Sequence, residues 1–366
     1  MKLEVGRNEL FGALQAVIGV VERRQTLPVL SNFLLVVNGD ELVVTGTDLE
    51  IELVSRAVVK SDADGKVTVP ARKLFDICRG LPEGASIRMS LDGDKMLVRS
   101  GKSRYTLSTL NAQEFPAMTV NTGGTELELE QKSLRSLIER THFAMAAQDV
   151  RYYLNGLLLH VLPDSIRAVA TDGHRLAMSE IEHKSGVSES VQIILPRKAV
   201  LELQRLLQST DAPIKLAITE GQIQADLDVI RLTSKLIDGR FPDYERVIPE
   251  GGDKLLLADR ETVRQALTRA AILSNEKFRG VRLQLEKQQL KLSTQNPEHE
   301  EAEEELEVDY NGESLEIGFN VTYLLDALAV IQTEQFQMAL KSSDASGLIE
   351  EVGGSASKYV VMPMRL

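Results

Sequence analysis

The sequence predicts an α+β fold made of three tandem copies of one domain, with two helices packed on antiparallel sheet in each copy. Three observations predict it. An apolar strand that runs into an amphipathic helix occurs three times, a second strand, turn and helix occurs three times in the same order, and a pair of alternating strands follows each copy of the second.

The first unit reads VTVPARKLFDICRGL at residues 67–81, IILPRKAVLELQRLL at 193–207 and IGFNVTYLLDALAVI at 317–331. Pro70 and Pro196 fall at the favoured first helical position, and Asn320 is a helix-starting cap. Val200, Leu201, Leu203 and Leu207 match Leu74, Phe75, Ile77 and Leu81 in the first copy, and Leu324, Leu325, Ala327 and Ile331 in the last. Offsets of 126 and 124 residues suit a whole domain, not a solenoid repeat.

The second unit reads LEVGRNELFGALQAVIG, LELEQKSLRSLIERTHF and LLLADRETVRQALTRAAIL. After it come LSNFLLVVNGDELVVTGTD, LNGLLLHVLPDSIRAVATD and FRGVRLQLEKQQLKLSTQN, with Asn38-Gly39 and Pro163-Asp164 as turn chemistry between strands. Each domain thus has two similar halves, giving six helices per chain near 7–19, 70–79, 131–143, 196–208, 259–273 and 320–331. Domain boundaries are expected at 1–120, 126–250 and 251–366.

Composition bounds the function classes. At 43% hydrophobic and 26% charged, usage is that of an ordinary globular chain. MKLEVGRNEL lacks an apolar h-region and no apolar run is long enough to span a bilayer, so neither export nor membrane insertion is expected and the compartment is cytoplasmic. Cys78 is the single cysteine, so no internal disulfide forms, and its place beside Ile77 on a helix reads as a structural thiol. A net charge of -12 argues against nucleic acid, yet the expected helices carry 13 Lys and Arg against 7 Asp and Glu. Either helix surfaces simply tolerate basic residues, or the helical side faces a polyanion while the rest faces solvent.

Catalytic motifs are missing from the sequence. No Walker loop, nucleophile motif or metal-ligand cluster occurs, and the five histidines are scattered, so no cofactor and no metal is expected. Asp172 and His174 in TDGHRL would be the acid and base of a hydrolase, but an imidazole two residues from a carboxylate at a strand end reads better as structural.

TLPVLSN, TGTDLE, VPARKLFDICRGLPEG, QDVRYYLNG, ATDGHRLA, SKLIDGRFPDYERV, RAAILSNEKFRGVRL and the terminal YVVMPMRL lie in order along the whole chain. On these residues the chain resembles the bacterial DNA polymerase III beta subunits, the replicative sliding clamps. That resemblance implies three tandem copies of a DNA-clamp domain, two chains joined head to tail as a closed ring, sheets outside and twelve helices lining the hole. Twelve helices at about 10 Å spacing leave a hole roughly 28 Å clear, wide enough for a duplex and a layer of water. It further implies a non-catalytic processivity factor that slides on double-stranded DNA and is loaded by another protein.

Residue by residue, the resemblance assigns DNA contact to Arg24, Arg72, Gln148, Tyr152 and Tyr153, with Arg197 and Lys198 as repeat equivalents of Arg72 and Lys73. By strand alternation only one of the two tyrosines need face out. A hydrophobic cleft for short Leu- and Phe-containing peptides is assigned to Leu154, Thr171, Gly173, His174, Arg175, Leu176, Pro242, Arg246, Val247, Phe278, Ser346, Val360, Val361, Met362, Pro363, Met364 and Arg365. Its implied ligands are the replicative polymerase alpha subunit, the clamp loader, other polymerases and repair proteins. The dimer contact is assigned to Lys73, Lys102, Arg104, Tyr105, Leu107, Ile272, Leu273, Glu298, Glu301 and Glu304, with apolar adhesion and opposite charges that set register. Asp344, Ala345 and Glu245 depart from the commonest family pattern near the cleft. A competing reading is a peptide-docking hub that holds no DNA.

Overall fold

Helical and alternating periodicities resolve into three similar strings of elements, the second lacking the short extra strand of the other two. The first repeat runs β1 (Lys2–Gly6), α1 (Arg7–Val17), β2 (Asn32–Asn38), β3 (Glu41–Thr47), β4 (Ile51–Val58), β5 (Lys60–Ala63), β6 (Gly65–Pro70), α2 (Ala71–Gly80), β7 (Ser86–Asp92), β8 (Lys95–Ser100) and β9 (Ser103–Ser108). The second runs β10 (Thr125–Glu130), α3 (Gln131–Glu139), β11 (Gly156–Val161), β12 (Ser165–Thr171), β13 (Arg175–Glu182), β14 (Val191–Pro196), α4 (Arg197–Leu206), β15 (Pro213–Thr219), β16 (Gln222–Leu227) and β17 (Ile230–Lys235). The third runs β18 (Lys254–Asp259), α5 (Arg260–Ala270), β19 (Gly280–Glu286), β20 (Gln289–Gln295), β21 (Glu301–Glu307), β22 (Asp309–Tyr310), β23 (Leu315–Asn320), α6 (Val321–Val330), β24 (Gln335–Leu340), β25 (Gly347–Glu351) and β26 (Lys358–Val361). This computed structural model describes residues 1–22, 27–119, 121, 123–354 and 356–365, and the six expected helices lie among them. Arg24 falls outside the described residues.

Helix starts differ by one residue from expectation. Pro70 and Pro196 end strands β6 and β14, and Pro70 has the extended ψ of 111° that belongs to a cap, not to a first turn. Asn320 caps as expected, its side chain accepting from the backbone N–H of Thr322 and Tyr323.

The sheets run across the repeat boundaries. β6-β2-β3-β4 continues through the β4·β17 pair into β17-β16-β15-β10, an eight-stranded sheet. β14-β11-β12-β13 continues through β13·β26 into β26-β25-β24-β18-β22, nine strands. In both joins the third strand of one meander pairs antiparallel with the third strand of another. The two remaining meanders, β7-β8-β9 and β19-β20-β21, belong to separate sheets in which β9 and β21 are edges. As a result, the compact units are Met1–Lys132 with Leu201–Leu236, and Ser133–Val200 with Ile237–Leu366.

Helix packing follows from the apolar stripe. In the first unit α1 buries Leu10, Ala13, Leu14 and Val17 against β3 and β4. Gly46 permits that approach, because a Cβ there would lie 2.7 Å from a Val17 methyl. At the equivalent place in the third repeat Thr294 donates its hydroxyl to Ala270 O at 2.8 Å. In the second unit α5 and α6 bury Val263, Leu267, Leu324 and Leu328 over Leu256, Phe336, Met338 and Ile349.

Many helix cations turn out to be committed within the fold. Arg7 Nε donates to Cys78 O at 3.1 Å, and its repeat equivalent Arg260 donates to Ile331 O at 2.7 Å. Arg205 pairs with Glu202 and donates to Gln15 O and Ala16 O. These guanidiniums meet the orphan carbonyls and negative dipole of helix C-termini. Arg79, Arg135 and Arg264 pair with Asp76, Glu139 and Glu261. The intrahelical pairs already cancel in the count of 13 against 7, and the remaining balance overstates the charge offered outward because Arg7 and Arg260 point at carbonyls. Cys78 is fully buried, and burial pushes its thiol up to about 11, as a structural thiol requires.

Candidate functional site

The turn between β12 and β13 is built by Thr171 and Asp172. Thr171 Oγ1 donates to Arg175 O at 2.6 Å and accepts from Gly173 N, while Asp172 Oδ1 accepts from His174 N and Arg175 N at 2.9 and 3.0 Å. Arg175 Nε also reaches Asp172 Oδ2 at 3.1 Å. The Asp172 carboxylate is thus the cap of an Asx turn, which is the structural reading of TDGHRL. Thr47 and Asp48 make the same turn in the first repeat. Gly173 has φ +88°, and a Cβ would lie 2.8 Å from the Arg151 guanidinium.

Arg175 is anchored below this turn. It meets Asp326 on α6 at 2.5 Å, donates to Phe143 O at 2.7 Å, and lies over the rings of Phe143 and Tyr323. Asp326 and Tyr323 were not legible as site residues, because no short-range pattern ties a mid-helix acid to a turn 151 residues away.

The C-terminal segment closes this region. Leu176 pairs with Val360 and Arg175 with Val361, Met362 N donates to His174 O at 2.9 Å, and Met364 N donates to Gly318 O at 2.7 Å. Leu154, Leu176, Val360 and Val361 are buried as a floor, whereas Met362, Phe278, Val247, Pro242, His174 and Arg246 are exposed. Ser346, Met362, Pro363, Met364 and Arg365 line one depression of about 500 Å³ with Arg282, Ser343 and Asp344. Phe278 lines a second, of about 560 Å³, with Met364 and Arg365. Leu154, Thr171, Gly173, His174, Pro242, Arg246 and Val247 line neither. Asp344 accepts from the Ser342 hydroxyl, which holds its carboxyl below the usual range.

The expected DNA contacts take other forms than strand alternation. Tyr152 and Tyr153 sit on a 3-10 turn, not a strand, because Asn155 ties the preceding loop through Asp149 N and Asp149 O at 2.8 Å each. Tyr152 is exposed, and Tyr153 packs against the apolar core and meets Tyr152 edge-on at 5.8 Å. Gln148 is exposed with φ +59°. Arg151 is bound to Asp149, and hydrogen bonding from Arg151 holds that carboxyl down at about 2. Arg72 is exposed and donates to Val21 O, Arg197 donates to Met145 O, and Lys198 is half-buried on the first turn of α4.

The edges β9 and β21 carry opposite charge. Lys102, Arg104 and Thr106 are exposed on one, and Glu301, Glu303, Glu305 and Glu307 on the other. Two expected contact residues differ: Leu107 is already buried in its own unit opposite Met96, and Glu304 faces α5, where Arg269 holds it at 2.6 Å and lowers its carboxyl. Lys73, Glu298 and Ile272 are exposed, and Tyr105 and Leu273 are half-buried.

Among the described residues no helix is long and apolar enough to cross a membrane, and no group of three or more His, Cys, Asp and Glu could hold a metal. A threefold repeat of helix pairs on joined antiparallel sheets, with a buried apolar floor beside an exposed rim, defines a protein of the clamp class. Residues 1–119, 128–243 and 245–365 match the N-terminal, central and C-terminal domains of the DNA polymerase III beta subunit. The chain is 55% identical to the beta sliding clamp of Pseudomonas putida and 51% identical to that of Escherichia coli, in both cases over 100% of each chain. A sliding clamp from Pseudomonas aeruginosa solved bound to griselimycin is 54% identical and superposes with a TM-score of 0.97 over 100% of both chains. The chain therefore belongs to the DNA polymerase III beta subunit family, the beta sliding clamps. Its function is that of a sliding clamp and processivity factor, and it is not an enzyme.

Proposed function

We propose that two copies of this chain close head to tail into a ring that encircles double-stranded DNA in the cytoplasm, on the nucleoid. The repeats 1–120, 126–250 and 251–366 are its building units, and six helices from each chain line the hole. Arg24, Arg72, Gln148, Tyr152, Tyr153, Arg197 and Lys198 attract the duplex without reading sequence, so retention is topological and sliding is free. The surface from Leu154 and Thr171 to Arg365 takes Leu- and Phe-containing peptides of the polymerase alpha subunit, the clamp loader, and other polymerases and repair proteins. Griselimycin, bound by the Pseudomonas aeruginosa relative, is proposed to seat on the same surface here.

The observation that carries the ring is the rule by which meanders join. Third strand pairs with third strand at β4·β17 and β13·β26, and the strands left without a partner by that rule are β9 and β21. Pairing them between chains continues the sheet and removes two exposed edges. The repeat also supports a register. Ser234 lies opposite Ile51 and Val361 opposite Arg175. Ser234, Val361 and Leu107 hold equivalent places opposite Ile223, Gly347 and Met96. Asp48 N bonds Ile51 O and Asn296 N bonds Glu300 O, so Glu300 takes the place of Ile51. Leu107 then faces Glu300 of the second chain, Thr106 faces Glu301, Tyr105 faces Ala302, Arg104 faces Glu303 and Lys102 faces Glu305.

A chain carrying Thr106→Cys and Glu301→Cys tests this under mild oxidation, with native Cys78 buried and silent. A doubly linked covalent dimer is expected. Cross-linking that fails here but succeeds with Glu301 replaced at a neighbouring strand position would overturn the register, and a monomer in both cases would overturn the interface.

A further inference from the structure

Across four strands of the nine-stranded sheet runs a polar row on one face: Gln192 on β14, His160 on β11, Arg167 on β12 and Glu180 on β13, each directly opposite the next. Two residues along, the same face carries the apolar row Ile194, Leu158, Val169 and Met178. The segment after β17 lies over both rows. Tyr244 places its ring in the apolar cluster that also contains the cleft floor residues Leu176 and Val360, and is almost fully buried. Its hydroxyl stands on the polar row, 2.8 Å from His160 Nδ1 and 3.2 Å from Arg167 Nη1. Arg167 is held in turn by Glu180 at 3.1 Å and Glu245 at 2.6 Å. Immediately around Tyr244 the same segment presents Pro242, Arg246 and Val247 to solvent.

We propose that Tyr244, pinned by His160 and Arg167, is a positioning residue for the cleft: it fixes the wall that carries Pro242, Arg246 and Val247 and so sets how tightly a peptide-like ligand is held. This rests on the reading of that surface as the cleft. Tyr244 touches no ligand itself. A loosened wall lowers the fraction of molecules competent to bind, and apparent affinity falls by that fraction.

The pin is sensitive to pH. Burial, reinforced by the Arg167 cation, lowers the pKa of His160 from its ordinary 6.5, against the opposing pull of Glu245 and Glu180. Burial raises the pKa of Tyr244. At neutral pH an uncharged imidazole therefore meets an uncharged phenol, and one donates to the other. Protonation puts a donor on both ring nitrogens: Nδ1–H still reaches the Tyr244 oxygen, but that oxygen then faces two cationic donors, the imidazolium and Arg167, while Nε2 can no longer accept from the Gln192 amide 3.3 Å away. The neutral arrangement is present above pH 6.5 and, as pH falls through the lowered value, gives way to two cations beside one phenol, which weakens the pin.

The test is calorimetric titration of griselimycin into the full chain at about pH 7.5 and about pH 5.5, for the native protein, Tyr244→Phe, His160→Gln and the exposed rim variant Met362→Asp. Tyr244→Phe keeps the buried ring and removes only the hydroxyl. It is expected to bind about fivefold more weakly at the higher pH, the size of one net hydrogen bond. The weakening of the native protein on acidification should be reduced in Tyr244→Phe and His160→Gln, which leave the exposed His174 of the cleft in place. Native-like affinity in Tyr244→Phe, or a native-like pH dependence in it, would overturn the proposal. If Met362→Asp binds weakly while Tyr244→Phe does not, the positioning role alone falls. If Met362→Asp also binds like the native chain, the cleft reading falls with it.

Discussion

Arg104→Glu should weaken the dimer, and adding Glu303→Arg should restore it. Both side chains are exposed on edge strands, and the repeat-derived register sets them opposite each other across the chain boundary. A cross-strand ion pair at such a site contributes about 0.2–1 kcal/mol, and reversal replaces attraction with repulsion of similar size. Each ring has two symmetry-related boundaries, so the loss is about 2 kcal/mol, or about thirtyfold in the dimer dissociation constant. Sedimentation velocity across a dilution series at about 0.15 M salt would measure it. At about 1 M salt, where the Debye length falls to about 3 Å, the gap between native and variant should narrow. An unchanged constant for Arg104→Glu, or a double variant no tighter than the single one, would refute the reasoning.

Four stability changes follow from other sites. Arg140→Met deprives the buried Glu351 of a guanidinium 3.2 Å away and should cost about 3 kcal/mol or more, read from the urea midpoint. Gly173→Ala meets both φ +88° and the Arg151 guanidinium and should lose about 1–2 kcal/mol, whereas Gly12→Ala, with open space around the added methyl on α1, should gain up to about 1 kcal/mol. Glu52 is buried and its pKa is raised from 4.5 by that burial, partly offset by a hydrogen bond from Met118 N. A raised carboxyl contributes stability below the unfolded value and loses it as pH rises through the folded one, so Glu52→Gln should raise Tm at pH above that range and make no difference near pH 4.

Local pattern made the repeats legible. The three strand-into-helix copies, the hairpin turns and the Asn320 cap depend on neighbours a few residues apart, and each appears where the sequence implies to within one residue. Sheet continuation was not legible, because the partner of β4 is β17, some 180 residues on, and nothing in either strand names the other. Charge counting overstated the outward charge for a related reason. Arg7, Arg205 and Arg260 count as helix cations, but a count carries no direction, and all three point at helix C-terminal carbonyls. Alternation placed the tyrosine pair on a strand, whereas the Asn155 side chain imposes a 3-10 turn through two contacts with Asp149 six residues back; one ring still faces out and the other in. The residues proposed for the cleft were named through resemblance. Tyr244, His160 and Arg167 were missed because their meeting depends on cross-strand register, which short-range pattern does not supply.

The most direct test of the ring is retention of the loaded protein on closed circular DNA before and after one restriction cut with unblocked ends. Retention on the circle and rapid loss from the linear form is the predicted result. Equal retention on both would mean that direct contact holds the protein on DNA, and topological linkage would be contradicted.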